Sequence, residues 1–303
     1  MTDTVLTLIA TPAPGDKTGG LDEALVARAT DALNAIGADV ATPDWLHPTV
    51  ACDVAFSNAS VETAEDAARR ALSDAPVDVA VVGTRDRKKA LLLADMDSTI
   101  VTSETLDELA HHAGIKDKVA AITTRAMAGE LDFEGALRER VAMLAGLSED
   151  ALEKTMAGVA LTPGAKSLAA TMKRDGAHLI LISGGFDYFT SRVRVMAGFD
   201  EDISNRLGVN DTRLTGTVEG LIVDKAVKQA TLVHAMEKLG LTRDQTMAVG
   251  DGANDGPMIE AAGYGVAYRG KPVLAAVADA NILYSDLTAL LYLQGYRADE
   301  IID

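Results

Sequence analysis

Ala90-Leu-Leu-Leu-Ala-Asp95-Met-Asp97-Ser-Thr-Ile100 is the stretch on which the reading of the whole chain turns. Its first half, Ala90–Ala94, is a continuous apolar run. Such a run predicts a strand buried on both faces, as in a parallel sheet. Two acids, two apart, sit just beyond the end of that strand. In open α/β sheets, the carboxyl ends of the strands are where ligands bind. A solvated turn is the plain alternative, because Asp and Ser are common turn formers.

Downstream, residues 105–160 contain no convincing strand and read as several helices. A helix at Ala165–Asp175, a strand at His178–Ile182 and a helix near Tyr188–Met196 follow. Arg206–Val209 and Arg213–Val218 read as a hairpin around Asn210-Asp211. Asp224–Leu239 is a helix, Thr246–Val249 a strand and Pro257–Ala262 a helix. Alternating strands and helices imply an α/β protein with a doubly wound parallel sheet. The helical block at 105–160 interrupts that alternation and is read as an inserted cap.

Upstream, the first 85 residues read strand, helix, strand, strand, helix, strand. The elements are Val5–Ala10, Leu21–Ile36, Asp39–Leu46, Val50–Phe56, Val61–Leu72 and Val77–Val82. This βαββαβ order predicts a small ferredoxin-like module. The polar segment Gly83–Lys89 (GTRDRKK) is read as a linker. The chain therefore divides into a module at 1–85 and a larger unit at 86–303, with the cap at about 105–160.

The 303 residues carry a formal net charge of −17, close to −8 in residues 1–85 and −9 in the remainder. Neither part offers the basic footprint that a nucleic-acid backbone requires, so nucleic acid is excluded as a partner. No apolar segment reaches membrane-spanning length, and the N-terminus lacks a signal-like run, so a soluble, cytoplasmic protein is expected. Cys52 is the only cysteine, which rules out an internal disulfide; it is read as a small buried hydrophobe on a strand.

A second acidic cluster, Asp251-Gly252-Ala253-Asn254-Asp255, follows the strand Thr246–Val249. Gly250-x-Gly252-x-x-Asp255 imitates a dinucleotide fingerprint but lacks its third glycine. The same stretch imitates a calcium loop, yet Ala253 replaces a ligand and Ala262 stands where a bidentate Glu is needed. Between the two clusters, Ser183-Gly184-Gly185 follows another strand, with a hydroxyl and flexible amides able to hold a phosphate. Lys228 lies on the helix after the hairpin.

Taken together and in this order, strand–DxDxT, strand–Ser, helix–Lys and strand–GDGAND resemble the haloacid dehalogenase-like superfamily over about residues 88–303. The resemblance implies a Rossmannoid core with a helical cap and phosphoryl-transfer chemistry. Asp95 would be the nucleophile, and Asp97 the general acid and then the base. One Mg²⁺ would bind the Asp95 and Asp251 carboxylates and the Asp97 backbone carbonyl. Ser183, Gly184, Lys228 and Asn254 would hold the phosphate, with Asp255 supporting the metal site. Lys225 competes with Lys228 for its role, and Lys228 is preferred.

The cap sequence is similar to that of phosphoserine phosphatases: Glu104, Met127-Ala-Gly-Glu-Leu-Asp-Phe133 and Ala136-Leu-Arg-Glu-Arg140 all match. By that match Glu104 would take a substrate ammonium, Arg140 its carboxylate, and Met127 and Phe133 would form an apolar lid. Arg offers a planar, bidentate match to a carboxylate. Arg138 is a weaker candidate for the same role, and His111 and His112 are read as cap surface. Other readings stay open: a first-turn acid for Glu104, a surface ion pair for Arg140, and plain cap core for Met127 and Phe133. The expected activity is hydrolysis of O-phospho-L-serine. Alternatives are a phosphotransferase on the same scaffold and a serine-binding regulatory protein. Residues 1–85 resemble an ACT-type amino-acid-binding domain only in element order. An amino-acid effector there, a homodimer and a purely structural role are the three readings of that module.

Overall fold

The computed structural model describes residues 4–11, 20–127 and 130–302, without the side chain of Met127. Its strands fall into two sheets. The first contains β1 (Thr4–Ile9), β2 (Asp39–Val40), β3 (Asp44–His47), β4 (Ala51–Ser57) and β5 (Asp78–Gly83), in the order β2-β4-β1-β5, with β3 also on β4. All its pairings are antiparallel. With the helices Glu23–Ala35 and Val61–Ala71 this is the ferredoxin-like arrangement. The second strand anticipated from the sequence is in fact two, β2 and β3, because the chain leaves the ladder at Thr42-Pro43, and Pro cannot donate to it. Asp22 and Ser60 cap the two helices, each accepting from a backbone N–H three residues on.

Both faces of this first sheet are buried. Leu6, Leu8, Cys52, Val54, Phe56, Val79 and Val81 pack under the two helices. Val5, Ile9, Ala51, Ala80 and Val82 join the core of the larger unit. That explains why β1 and β5 carry apolar residues on both faces and do not alternate. Cys52 is fully buried, and burial, followed by the charge of Asp53, pushes its thiol up to about 12. Native protein at pH 8 is therefore expected not to react with a disulfide reagent such as dithionitrobenzoate, and to react stoichiometrically in urea. Rapid labelling without denaturant would show that β4 opens.

The segment read as a linker is pinned. The Arg87 guanidinium donates to Asp53 Oδ1 at 3.0 Å, Thr7 Oγ1 at 3.0 Å, the Leu293 carbonyl at 2.8 Å and the Tyr292 carbonyl at 3.1 Å. Lys89 is buried and donates to the carbonyls of Asp86 and Asp244. Asp78, on β5, accepts backbone N–H groups from Leu283 at 2.7 Å and Ser285 at 2.8 Å.

The second sheet contains β6 (Leu91–Asp95), β7 (His178–Phe186), β8 (Glu201–Asn210), β9 (Arg213–Glu219), β10 (Thr246–Gly250), β11 (Tyr264–Tyr268) and β12 (Ala280–Ile282). Its order is β12-β11-β10-β6-β7-β8-β9, parallel except for the β8–β9 hairpin. This is the doubly wound α/β sheet anticipated from the sequence. β6 lies at its centre with Leu91, Leu92 and Leu93 all fully buried, each worth about 1.5–3 kcal/mol of burial. β11 and β12 were not read from the sequence. The hairpin turns at Asp211-Thr212, both with positive φ, as its tight turn requires.

Four helices, Thr105–His112, Lys116–Met127, Phe133–Ala142 and Asp150–Ala157, stand between two adjoining crossings. Val101 bridges Leu161, Thr102 N–H donates to Ala160 O, and Thr162 N–H donates to Ile100 O. The hairpin tip supports this helical block, through Leu214 and Thr212 bonded to residues 146, 147 and 149. Among the described residues no helix is long and apolar enough to cross a membrane.

Candidate active site

The cleft lies where β6, β7 and β10 end, beneath the four helices. β6 delivers Asp95 as its last residue, 4% exposed. The chain then makes a wide turn closed by Val101 N–H on the Met96 carbonyl at 2.9 Å. Ser98 sits in the left-handed region at φ 55°, a strained position for a residue with a Cβ and one that clusters at functional sites. The turn presents Asp97, whose Oδ1 accepts from Thr105 N–H at 2.8 Å and whose Oδ2 accepts from Ser183 Oγ at 3.0 Å. Ser183 in turn accepts from Gly185 N–H at 2.8 Å. A Cβ on Gly185 would stand 3.0 Å from Ser183 Oγ and 3.1 Å from Asp97 Oδ2, so a larger residue would press on both. Asn205, fully buried, fixes the loop by bonding both the Gly184 carbonyl and Val223 N–H.

Lys228 is 1% exposed and pairs with Asp95 and with Asp255 Oδ1 at 2.7 Å. Burial acts to lower its pKa, but the Asp95 and Asp255 carboxylates more than reverse this, and the ammonium stays charged. Lys225 is exposed at the start of the same helix, so the helix turns Lys228 inward and Lys225 to solvent. Asp255 uses both oxygens: Oδ1 takes Lys228 and Asn254 Nδ2, and Oδ2 takes the N–H groups of Asp251 and Gly252 at 3.1 Å. It stitches the GDGAND loop together. A Cβ on Gly250 would lie within 2.4 Å of Asp255 Oδ2, which makes glycine obligatory there.

A cavity of about 200 Å³ joins these groups to the helical block. Asp95, Asp97, Ser183, Gly184, Asp251 and Asn254 line one side, and Glu104, Phe133 and Arg140 the other. Glu104 Oε1 accepts from Ser98 Oγ at 2.8 Å, and burial in the cleft followed by the Asp97 charge raises its carboxyl. Arg140 donates Nε to the Ala136 carbonyl at 3.2 Å; among the described residues its terminal nitrogens make no hydrogen bond. Arg138 instead pairs with Glu134 outside the cavity, and His111 and His112 are exposed. The Phe133 ring lies over Gly184, where a Cβ would stand 3.2 Å from it. Met127 ends its helix, and its side chain lies outside the described residues.

One wall residue escaped the sequence reading. Lys271 Nζ stands 3.3 Å from Asp251 Oδ2, and its own N–H donates to the Asp251 carbonyl at 2.8 Å. The signal that would have found it is the unread strand β11, which ends three residues before.

Four aspartates, Asp95, Asp97, Asp251 and Asp255, thus face two lysines. Burial raises Asp95, aided by the Asp255 and Asp97 charges and opposed by Lys228. Burial also raises Asp251, against the pull of Lys271. Asp97 is raised by burial, with the Thr105 and Ser183 hydrogen bonds pulling the other way. Oxygen atoms of Asp95, Asp251 and Asp255 lie within 4.8 Å of one another. An all-oxygen donor set with surplus negative charge fits a hard divalent cation.

Comparison with known proteins places this geometry in context. The family model described as haloacid dehalogenase-like hydrolase matches residues 92–260, more than half of the chain. A phosphoserine phosphatase of Streptomyces coelicolor is 41% identical over 257 residues, covering 84% of this chain and 63% of that protein. One of Archaeoglobus fulgidus is 44% identical over 207 residues, covering 68% of this chain and 60% of that protein. The chain therefore spans a little under two thirds of the length of these two relatives. The crystal structure of a haloacid dehalogenase family hydrolase from Salmonella enterica serovar Typhi superposes with a TM-score of 0.82 at 27% identity, over 96% of this chain and 97% of that one. A shared model, relatives above 40% identity and a whole-chain superposition agree: this chain belongs to the haloacid dehalogenase-like hydrolase family.

Proposed function

We propose that this protein hydrolyses O-phospho-L-serine to L-serine and phosphate, through a phosphate ester carried on Asp95. The observation that carries this reading is a single small cavity with a nucleophile and an acid on one wall and an opposed carboxylate and guanidinium, Glu104 and Arg140, on the other. Phosphoserine needs all of these at once: an anion for its ammonium, a planar cation for its carboxylate, and phosphate-binding groups beyond. Two relatives that bear the name of this activity support it.

In this reading Asp95 attacks phosphorus, the bond from phosphorus to the serine oxygen breaks, and Asp97 gives that oxygen its proton. Asp97 then takes a proton from water, whose oxygen attacks phosphorus and releases Asp95 and phosphate. The raised Asp97 carboxyl suits the first step, in which it must be protonated. Ser183, Gly184, Asn254 and Lys228 hold the equatorial oxygens, where negative charge accumulates. Phe133 shields the bound ester from water. The Asp95 and Asp251 carboxylates and the Asp97 carbonyl would hold one Mg²⁺ per site, which would supply the neutralisation that lets a carboxylate approach a phosphate dianion. Asp255, with both oxygens already engaged, orients the loop that carries Asp251. We also take residues 1–85 and 86–303 as separate units with the cap at about 105–160, and the cytoplasm as the place of action.

The test is phosphate release from O-phospho-L-serine with Mg²⁺, with p-nitrophenyl phosphate as control. Phosphoserine turnover far above control, lost with chelator, is the expected result. Turnover of the control alone would keep the Asp95 chemistry and overturn the roles of Glu104 and Arg140.

A further inference from the structure

The cavity holds one cation that the hydrolytic reading leaves without a task. Lys228 is buried and committed to Asp95 and Asp255, and Arg140, on the helical block, lines the opposite wall as the partner for the substrate carboxylate. Lys271 differs from both: its side chain is 64% exposed, yet its ammonium rests on Asp251. Its backbone is held in place, since it caps the short helix Pro272–Ala275, whose proline fixes the first turn, and its N–H is bonded to the Asp251 carbonyl. The ammonium lies beside the phosphate-binding loop, 3.8 Å from where a Cβ on Gly252 would stand.

We propose that Lys271 is a positioning residue that occupies one oxygen of Asp251 until a divalent cation arrives, weakening metal binding while strengthening the pull on the anionic substrate. This rests on the hydrolytic reading of the same site. The lysine side of this pair is exposed and free to swing into solvent, although Asp251 is largely buried, so a cation can displace Lys271 from Asp251 without unfolding anything. The displaced ammonium remains tethered at the cavity wall beside Asn254. There it offsets the field of Asp251, Glu104 and a chain of net charge −17, a field that would otherwise repel a phosphate ester. One charge therefore acts with opposite sign on the two ligands.

The experiment compares the full chain with Lys271→Met and Lys271→Arg. Mg²⁺ affinity is measured by titration calorimetry on chelator-treated protein without substrate, and phosphoserine kinetics are measured separately. In Lys271→Met the Mg²⁺ Kd is expected to fall by about threefold to tenfold and the phosphoserine KM to rise by a similar factor. The substrate effect should fall on KM more than on kcat and shrink at high salt. Lys271→Arg should lie near wild type in both. A damaged fold would weaken both ligands together, so opposite shifts are the signature. An unchanged or weakened Mg²⁺ affinity in the Met variant, or failure of Arg to restore it, overturns the inference. If wild type binds Mg²⁺ but leaves phosphoserine intact, the proposed function falls, and the inference is decided by the Mg²⁺ measurement alone. If wild type binds no Mg²⁺, both fall.

Discussion

Asp95→Asn is expected to lower phosphate release from O-phospho-L-serine by about four orders of magnitude or more, as loss of a covalent nucleophile does. An amide is a poor nucleophile toward phosphorus and offers no negative charge to a metal. The fold should survive, because the change removes one of four clustered aspartates and leaves Lys228 its bond to Asp255. Circular dichroism and a melting temperature within a few degrees of wild type would establish that. Residual activity within tenfold of wild type would exclude Asp95 as the nucleophile. Asp97→Asn separates the two halves of the reaction. With p-nitrophenyl phosphate, whose leaving group needs no proton, the first step should proceed while the second lacks its base. Phosphorylated protein should then accumulate, visible as a mass increase. Its absence, alongside normal turnover, would remove Asp97 from the second step.

Arg87→Met should be the most damaging change outside the cleft. Arg87 and Asp53 have side chains only 13% and 9% exposed, and the pair ties β4 to the carbonyls of residues 292 and 293. Removing the cation leaves Asp53 with Thr7 as its remaining side-chain partner and takes one donor from the Leu293 carbonyl and one from the Tyr292 carbonyl, which keeps the Gly295 N–H. Breaking a buried pair in this way costs about 3–5 kcal/mol. At roughly 2–4 °C per kcal/mol for a chain of this size, the melting temperature should fall by about 6–20 °C. The kcat/KM at 25 °C should be unchanged, because Arg87 touches nothing in the cleft. Adding Asp53→Leu should recover much of the loss, since replacing both partners avoids the stranded charge. A melting temperature within 2 °C of wild type would mean that water reaches this interface.

Much of the cleft was legible because its chemistry sits at strand ends, where sequence signals are local. The run Leu91–Leu93 marked a doubly buried strand, and the acids after it had one place to go. Lys228 was distinguishable from Lys225 only by helix phase, which a helix begun at Asp224 left uncertain by a few residues. Lys271 goes unread because it follows a five-residue strand, Tyr264–Tyr268, and precedes a one-turn helix. Neither is long enough to show a period. The same holds for β12, with three residues. Nor could local pattern show what lies against the outer face of the first sheet. The apolar residues Val5, Ile9, Ala80 and Val82 were visible, but their partners lie some 200 residues away. Polarity made Gly83–Lys89 look like a tether, whereas Arg87 and Lys89 spend their charge on buried carbonyls.

That burial on two faces also orders events on the ribosome. The first sheet is complete in sequence at Gly83, but part of its cover comes from beyond Tyr264: Tyr264 bonds the Val81 carbonyl, His47 meets Tyr292, and Asp78 waits for residues 283–285. At 5–20 residues per second, translation takes roughly 10–40 s to supply them. Throughout that interval the nascent chain exposes an apolar sheet face and the open edge of β5, surfaces that invite pairing with other chains. The first sheet is thus made before the second but finished after it, and the yield of folded protein depends on how well that sheet is shielded in the meantime.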